Sequence, residues 1–244
     1  MKKPQFSNNE IYHIYNRGVE KRDIFLDKQD YFRFINSLAE FNDIKPALPS
    51  NIRYLLRNPS QTTSLDIEKR LDVVNLNNLN REKEPLVEIL AFCLMPNHYH
   101  LLARQLIDGG VVKFMKKLGS GYANYFNLKR KRVGPLFQGR FKAILVDKDE
   151  YLQYLSLYIH LNPLDLTSPE WRDSKIYNLQ KTLDFLTNYQ WSSYLDYMGK
   201  DNFPLITNRE FLLSISNGTN NFKRNTIEFI ESLNLEKIRD LILE

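Results

Sequence analysis

The chain has 244 residues, of which 43% are hydrophobic and 26% are charged. This ordinary globular composition excludes a fibrous or largely disordered protein, and the length favours one domain with an insertion or an extension. The formal net charge is only +5 at pH 7, so a uniformly polycationic chain is excluded as well.

The first third of the chain predicts a strand, a helix and an insertion, in that order. Residues 10–16 are rich in β-branched and aromatic residues, which is typical of a strand. Asp27 precedes apolar residues spaced as on one side of a helix, from Tyr31 to Phe41. From about 43 to 85 the chain is rich in Pro, Asn and charged residues, so we interpret this part as an insertion outside the core.

The middle of the chain predicts a hairpin followed by a basic helix. Residues 86–94 are almost entirely apolar, and a Pro-Asn turn separates them from a second strand at 98–105. The next apolar periodicity predicts a helix over 111–130. Because Gly119 and Gly121 lie near its centre, we expect this helix to be broken or bent there.

A strand over 140–146 and a helix over 147–161, ended by Pro163, complete the pattern. Four strands and two helices in the order βαββαβ form a ferredoxin-like, RRM-like unit. We therefore predict an α+β fold with helices on one face of the sheet and the other face open, a further helix at 147–161 and a helical C-terminal tail. The predicted main domain is 1–163, and 164–244 is its C-terminal extension.

Positive charge is concentrated in one segment of the chain. No acidic residue occurs between Asp108 and Asp147. A segment this one-sided favours a polyanionic partner such as DNA, because Lys and Arg displace counterions from phosphates. The alternative is a solvated helix face, although such faces usually carry interspersed acidic residues. The nine candidate DNA-binding cations are Lys113, Lys116, Lys117, Lys129, Arg130, Lys131, Arg132, Arg140 and Lys142.

Neither a membrane span nor a secretory signal is evident. The longest apolar run covers the seven residues from Ile89 to Met95, whereas a membrane-spanning helix needs roughly 18. The basic residues Lys2 and Lys3 are not followed by an apolar stretch. The single cysteine, Cys93, lies within the apolar run, which predicts a buried thiol in a reducing compartment. We therefore expect a cytoplasmic protein with no membrane partner.

Two of the four histidines, His98 and His100, flank Tyr99 on a predicted strand. Alternate strand residues project from the same face, so two imidazoles could bind one cation while Tyr99 packs into the core. With one cysteine in the chain, a Cys-rich zinc site is excluded, and a further ligand should be an oxygen donor. The alternative is a coincidental pair of histidines with no metal.

Tyr158 and Asn162 stand four residues apart, so they share one face of the helix predicted over 147–161. The amide oxygen of Asn162 suits a hard divalent ion, and Tyr158 offers a phenol. Taken separately, Tyr158 is more simply explained as a packed aromatic residue and Asn162 as a helix C-terminal residue. The nearby histidine pair favours the functional interpretation.

Five short motifs stand out along the chain: Tyr12-His-Ile-Tyr-Asn-Arg-Gly18, Leu94-Met-Pro-Asn-His-Tyr-His-Leu-Leu102, Gly134-Pro-Leu-Phe-Gln-Gly-Arg-Phe-Lys142, Tyr158-Ile-His-Leu-Asn-Pro163 and Trp191-Ser-Ser-Tyr194. Together, and in this order, they resemble the REP-associated tyrosine transposases, which belong to the single-tyrosine HUH transposases. The resemblance covers about residues 10–42 and 86–198. The long insertion departs from the family pattern and leaves the oligomeric state open, a homodimer included.

The resemblance implies an RRM-like sheet and a metal-dependent reaction on single-stranded DNA. By position, His98 and His100 would hold Mg²⁺ or Mn²⁺, Asn162 would complete the metal site, and Tyr158 would attack the DNA. The catalytic residues would thus be Tyr158, His98 and His100, all within a catalytic domain at 1–163. The implied activity is transposase-like nicking and rejoining through a 5′-phosphotyrosine, on DNA with hairpin-forming repeats.

Other classes of function stay open at this point. The fold would also suit a host-adopted DNA-binding protein that no longer cuts, or an RRM-like RNA binder. The strand beginning at Arg140 lacks the aromatic signature of an RNA-binding RRM. A hydrolytic metalloenzyme for a small substrate would explain the histidine pair but not the segment without acidic residues.

Overall fold

The computed structural model describes residues 5–46, 82–173 and 175–231, so most of the predicted insertion lies outside the described residues. Short 3₁₀ helices cover Val19–Lys21, Asn162–Leu166 and Pro169–Asp173. The strands and α-helices are β1 (Ile11–Arg17), α1 (Lys28–Phe41), β2 (Val87–Met95), β3 (His98–Gln105), α2 (Gly110–Lys129), β4 (Lys142–Val146), α3 (Asp149–Leu161), α4 (Leu179–Asn188), α5 (Tyr194–Tyr197), α6 (Arg209–Ile215) and α7 (Thr219–Glu231).

The four strands form one antiparallel sheet in the order β2-β3-β1-β4. The predicted α+β class and the order βαββαβ are confirmed. Asp27 caps α1, since its carboxylate accepts a hydrogen bond from the backbone N–H of Asp30 at 3.0 Å. The register pairs Tyr15 with His100 and Arg17 with His98. Both histidines therefore lie beside polar residues of β1 on one face of the sheet.

Each face of the sheet carries its own apolar core. On one face, Tyr12 and Tyr99 pack with α1 and α2. On the other, Cys93 and Leu102 pack with α3 and with the C-terminal elements, including Trp171. The expectation that this second face is open is therefore wrong, because apolar side chains beyond residue 163 cover much of it. Cys93 is buried, as predicted, and no described helix is both long and apolar enough to cross a bilayer.

Helix α2 is continuous, so the predicted break near Gly119 and Gly121 is wrong. A Cβ atom at Gly121 would lie only 2.5 Å from Cε2 of Phe41 at the end of α1, whereas one at Gly119 would meet nothing within 4 Å. Gly121 therefore lets the two helices approach closely, which gives this glycine a packing role.

The Trp191-Ser-Ser-Tyr194 motif extends the sheet beyond β2. The N–H of Leu94 donates to Trp191 O at 2.9 Å, and the N–H of Ser193 donates to Phe92 O at 3.0 Å. The hydroxyl of Ser193 also accepts a hydrogen bond from the N–H of Phe92 at 2.9 Å. Because these bonds satisfy backbone groups of an otherwise exposed edge, they explain the motif structurally.

Candidate active site

The structure brings His98 and His100 together on the sheet face that carries α3. Their ring centroids are 4.9 Å apart and the rings are nearly perpendicular, at 86°. Tyr99 points to the opposite face and is buried in the other core. This is the arrangement that the alternation of side chains along a strand predicts.

Hydrogen bonds on Nδ1 orient both imidazoles. His98 Nδ1 lies 2.6 Å from the amide oxygen of Asn97, and because that oxygen can only accept, the proton belongs on Nδ1. His98 Nε2 is then an acceptor; it is buried and has no hydrogen-bond partner among the described residues. His100 Nδ1 lies 2.9 Å from Nε2 of His13, which sequence analysis left without a role.

Burial keeps both rings neutral. Burial, with a smaller contribution from the nearby Arg17, lowers the pKa of His98 to about 4. Burial also holds the pKa of His100 well below its ordinary value, and the neighbouring histidines add to this effect. A neutral imidazole is the form that binds a metal ion.

The protonation and hydrogen bonding of the two histidines suit the binding of a divalent ion. Both rings are neutral, both Nδ1 atoms have a hydrogen-bond partner, and the buried Nε2 of His98 has none in the described part of the chain. Such outer hydrogen bonds are typical of metal-binding histidines. The described residues contain no group of three His, Cys, Asp or Glu side chains that is arranged to hold a metal ion. Any further ligand from these residues must therefore be of another type, such as an amide oxygen.

Tyr158 lies beside the histidine pair and has no exposed surface. Its ring centroid is 6.1 Å from that of His100, with the planes at 87°. Asn162 is also fully buried, and its amide N–H donates to the Tyr158 carbonyl at 2.8 Å. The amide oxygen of Asn162 lies 3.4 Å from Nη2 of Arg172. Tyr158 of α3 and Asn162, the first residue of the following 3₁₀ helix, therefore share one polar network.

The centre of this network is Arg172, which sequence analysis missed. Its Nη1 donates to the Tyr158 hydroxyl at 2.9 Å. Asp165 accepts from its Nε at 2.9 Å and from its Nη2 at 2.7 Å, and also from Trp171 Nε1 at 2.6 Å. Arg172 belongs to none of the five motifs, and no periodic pattern connects it with Tyr158, so the sequence carries no signal for this contact.

A cleft of about 340 Å³ opens beside the histidine pair. The loop of the Gly134–Lys142 motif forms one wall, and it is held to β1 by hydrogen bonds from Gln138 N to Arg17 O at 2.9 Å and from Asn16 Nδ2 to Gly139 O at 3.1 Å. The lining includes three cations and therefore suits an anion. The lining residues are Tyr15, Asn16, Arg17, His98, His100, Gln138, Gly139, Arg140 and Lys142.

The nine predicted DNA-binding cations do not lie in one place. Arg140 and Lys142 line the cleft. Lys113, Lys116 and Lys131 are exposed. Lys117 donates hydrogen bonds to backbone carbonyls of the segment that follows α1, including Lys45 O at 2.6 Å. Arg132 donates to Asn127 Oδ1 at 2.7 Å.

Lys129 and Arg130 instead bind two carboxylates at the start of α1. Lys129 lies 2.8 Å from Asp27 and 2.7 Å from Asp30, and the corresponding distances for Arg130 are 2.6 and 2.9 Å. Hydrogen bonds, first from Lys129 and then from Arg130, lower the pKa of Asp27 to about 2. The charges of this pair are therefore compensated within the protein.

Comparison with known proteins finds one family model that matches the central part of the chain. Residues 63–162 match the family model described as "Transposase IS200 like". This range contains the histidine pair, Tyr158 and Asn162. The match agrees with the resemblance of the sequence motifs to transposases.

No curated protein matches the chain. One similar solved structure is the REP-associated tyrosine transposase bound to a REP hairpin, with 11% sequence identity and a TM-score of 0.44. The alignment covers 86% of this chain and 92% of that chain.

Proposed function

We propose that this chain, whose residues 63–162 match the IS200-like transposases, cuts and rejoins single-stranded DNA with a tyrosine nucleophile. The observation that carries the proposal is the packing of Tyr158 against His100, 6.1 Å between ring centroids, beside a cleft lined by cations. A phenol, paired neutral imidazoles and an anion-binding cleft are the parts that phosphoryl transfer to tyrosine needs.

The cleft would hold the DNA backbone. Arg17, Arg140 and Lys142 can neutralise phosphates on either side of the scissile one. Tyr15 lines the same cleft, and its ring could stack on a base. The resemblance to REP-associated transposases leads us to expect a target with hairpin-forming repeats.

In the proposed reaction, the Tyr158 oxygen forms a bond to the scissile phosphorus and the bond from phosphorus to the 3′ oxygen breaks. The phenol loses its proton as the new bond forms, and the departing 3′ oxygen takes up a proton to become a hydroxyl group, so no net proton is released. The 5′ phosphate stays on Tyr158 as a phosphodiester. Because the diester is conserved, a 3′ hydroxyl can later displace Tyr158 without ATP.

His98 and His100 would hold the divalent ion, Mg²⁺ or Mn²⁺, and the amide oxygen of Asn162 would complete the site. A cation bound there would polarise the scissile phosphate and offset its developing charge. The chain's own contribution is to keep both imidazoles neutral and oriented, through burial and through Asn97 and His13.

A second candidate function is DNA binding without cleavage. The observation in its favour is that Tyr158 has no exposed surface, so its hydroxyl is not open to DNA in this conformation. The RNA-binding and small-molecule hydrolase interpretations have no comparable support from the site.

The test is covalent capture of labelled single-stranded oligonucleotides that carry hairpin repeats, with Mg²⁺ or Mn²⁺, on denaturing gels. A 5′-phosphotyrosine leaves the protein on the fragment with the original 3′ end, so 3′-labelled but not 5′-labelled DNA should shift. Tyr158→Phe should abolish the adduct, whereas Tyr151→Phe and Tyr154→Phe on the same helix should retain it. An adduct that persists in Tyr158→Phe would assign the nucleophile elsewhere, and no wild-type adduct with either metal would favour non-cutting DNA binding.

A further inference from the structure

We propose that Arg172 is a further catalytic residue, whose guanidinium group stabilises negative charge on the Tyr158 oxygen when that oxygen attacks DNA and when it leaves. This inference rests on the proposed function and extends it to a residue outside the five motifs. Arg172 joins the histidine pair, Tyr158 and Asn162 as a further polar residue of the site.

The geometry directs one edge of the guanidinium group to the reacting oxygen. Nη1 of Arg172 lies 2.9 Å from the Tyr158 hydroxyl, and its Cζ is 5.3 Å from the centroid of the same ring. On another edge, Asp165 binds Nε and Nη2 at 2.9 and 2.7 Å. Trp171 donates to the same carboxylate. Two parallel hydrogen bonds fix the plane of the guanidinium group, so the direction of Nη1 is set before substrate binds.

The environment of Tyr158 makes such a donor necessary. Its side chain has no exposed surface, so water cannot solvate a phenolate there, and burial alone disfavours the charged form. A guanidinium group is always protonated and cannot act as the base. A fixed N–H donor at hydrogen-bond distance acts as electrostatic stabilisation, and it strengthens as charge develops on the oxygen.

The same hydrogen bond serves both half-reactions. In cleavage, charge develops on the phenolic oxygen as it loses its proton and forms the bond to phosphorus. In rejoining, a 3′ hydroxyl attacks, the bond from phosphorus to the tyrosine oxygen breaks, and the electron pair returns to Tyr158. Arg172 should therefore accelerate formation and resolution of the adduct together, whereas a residue that binds only the leaving 3′ oxygen would act on one of them.

The experiment measures single-turnover adduct formation and rejoining in the full-length protein. Arg172→Ala should slow both steps by about a hundredfold, which is the usual effect of removing one preorganised donor. The rates of Arg172→Lys should lie between those of wild type and Arg172→Ala, since Lys keeps the charge but cannot form the paired hydrogen bonds with Asp165. Arg224→Ala is the matched control, because Arg224 is exposed on α7 and pairs only with Glu228 among the described acidic side chains. Its rates should equal those of wild type.

A structural role for Arg172 is separated from the proposed one by chemical rescue and by pH. Added guanidinium at non-denaturing concentration should partly restore the rate of adduct formation by Arg172→Ala. Without added guanidinium, the rate of this variant should reach its half-maximum at a higher pH than the rate of wild type. If Arg172→Ala does not fold, the rates and the pH profile are measured in Asp165→Asn and Arg172→Lys instead.

Unchanged rates and pH profile in a folded Arg172 variant that forms the adduct would overturn the inference alone. A faster variant would also overturn it, since Arg172 would then restrain Tyr158. Absence of a wild-type adduct would instead contradict the proposed function. In that case the ¹³C resonance of Tyr158, assigned with Tyr158→Phe, still shows whether Arg172→Ala shifts phenol ionisation to higher pH, and no shift would overturn the role of Arg172 independently.

Discussion

At the scale of single residues, the site depends on where protons lie on buried rings. His13 and His100 are a hydrogen-bonded pair whose ring planes are nearly parallel, at 18°, with 5.1 Å between centroids. For His100 to present Nε2 to a cation, its Nδ1 must carry the proton and donate it to His13. His13 is therefore expected to set the tautomer of a ligand without being one.

This role of His13 is testable with His13→Phe, which keeps an aromatic ring at this position but removes the acceptor nitrogen. The metal concentration for half-maximal cleavage should rise about tenfold or more, while affinity for single-stranded DNA stays unchanged. His98→Ala should lose far more cleavage, and also keep DNA binding. A metal requirement unaltered in His13→Phe would show that His100 does not depend on this hydrogen bond.

A second residue-scale prediction concerns acid stability. His160 lies 2.8 Å from the Ser193 hydroxyl, and burial lowers its pKa from 6.5 to about 3. Between these two values the unfolded chain holds a proton that the folded chain does not, so the free energy of unfolding decreases as pH falls. In urea titrations between pH 7 and pH 4, His160→Gln should lose less stability than wild type. Parallel losses would contradict the assignment.

At the scale of elements, the packing of α1 against α2 depends on one glycine. Gly121→Ala places a methyl group against Phe41 and should destabilise the fold by about 1–3 kcal/mol. In Gly119→Ala, in the same helix, the added methyl group has no neighbour within 4 Å. This variant should stabilise the fold by about 1 kcal/mol, because Ala is the better helix former. Urea unfolding of both variants measures the contrast. Equal effects would mean that the helices do not approach closely at Gly121.

The two groups of cations on and after α2 should behave differently. Arg140→Ser with Lys142→Ser should weaken binding to single-stranded DNA and flatten its salt dependence, by about 0.7 for each phosphate that is no longer neutralised. Lys129→Ser with Arg130→Ser removes the partners of Asp27 and of the buried Asp30, so it should lower stability with little change in slope. Fluorescence anisotropy at several salt concentrations gives both slopes. An identical flattening would place Lys129 and Arg130 on the DNA as well.

At the scale of the whole molecule, the described ends of the predicted insertion meet. The N–H of Ile44 donates to Glu84 O at 2.9 Å, and the Asn42 amide oxygen accepts from Leu86 N at 2.9 Å and Val87 N at 3.0 Å. Replacing residues 47–81, which lie outside the described residues, with a short Gly/Ser linker should leave unfolding cooperative. Loop closure changes by only about 0.6 kcal/mol per doubling of length. Loss of folded protein would show that the segment belongs to the core.

The sequence by itself determined the features that follow from the local periodicity of strands and helices. Strand alternation correctly placed His98 and His100 on one face with Tyr99 on the other, and helical periodicity placed Tyr158 and Asn162 together. These are local relations, because a side chain's direction follows from the 2.0 or 3.6 residue period of its own element. The order of elements likewise identified the α+β sheet.

Only the tertiary structure decided which distant groups meet. His13 contacts His100, which is 87 residues away in the sequence, and Arg172 donates a hydrogen bond to Tyr158 from a 3₁₀ helix. Lys129 and Arg130 form ion pairs with acidic side chains at the start of α1. The C-terminal elements also cover a sheet face that was expected to be open. Such pairings form because buried polar groups and apolar faces must find partners somewhere in the packed chain. That requirement says that a partner exists, and packing in three dimensions decides which residue it is.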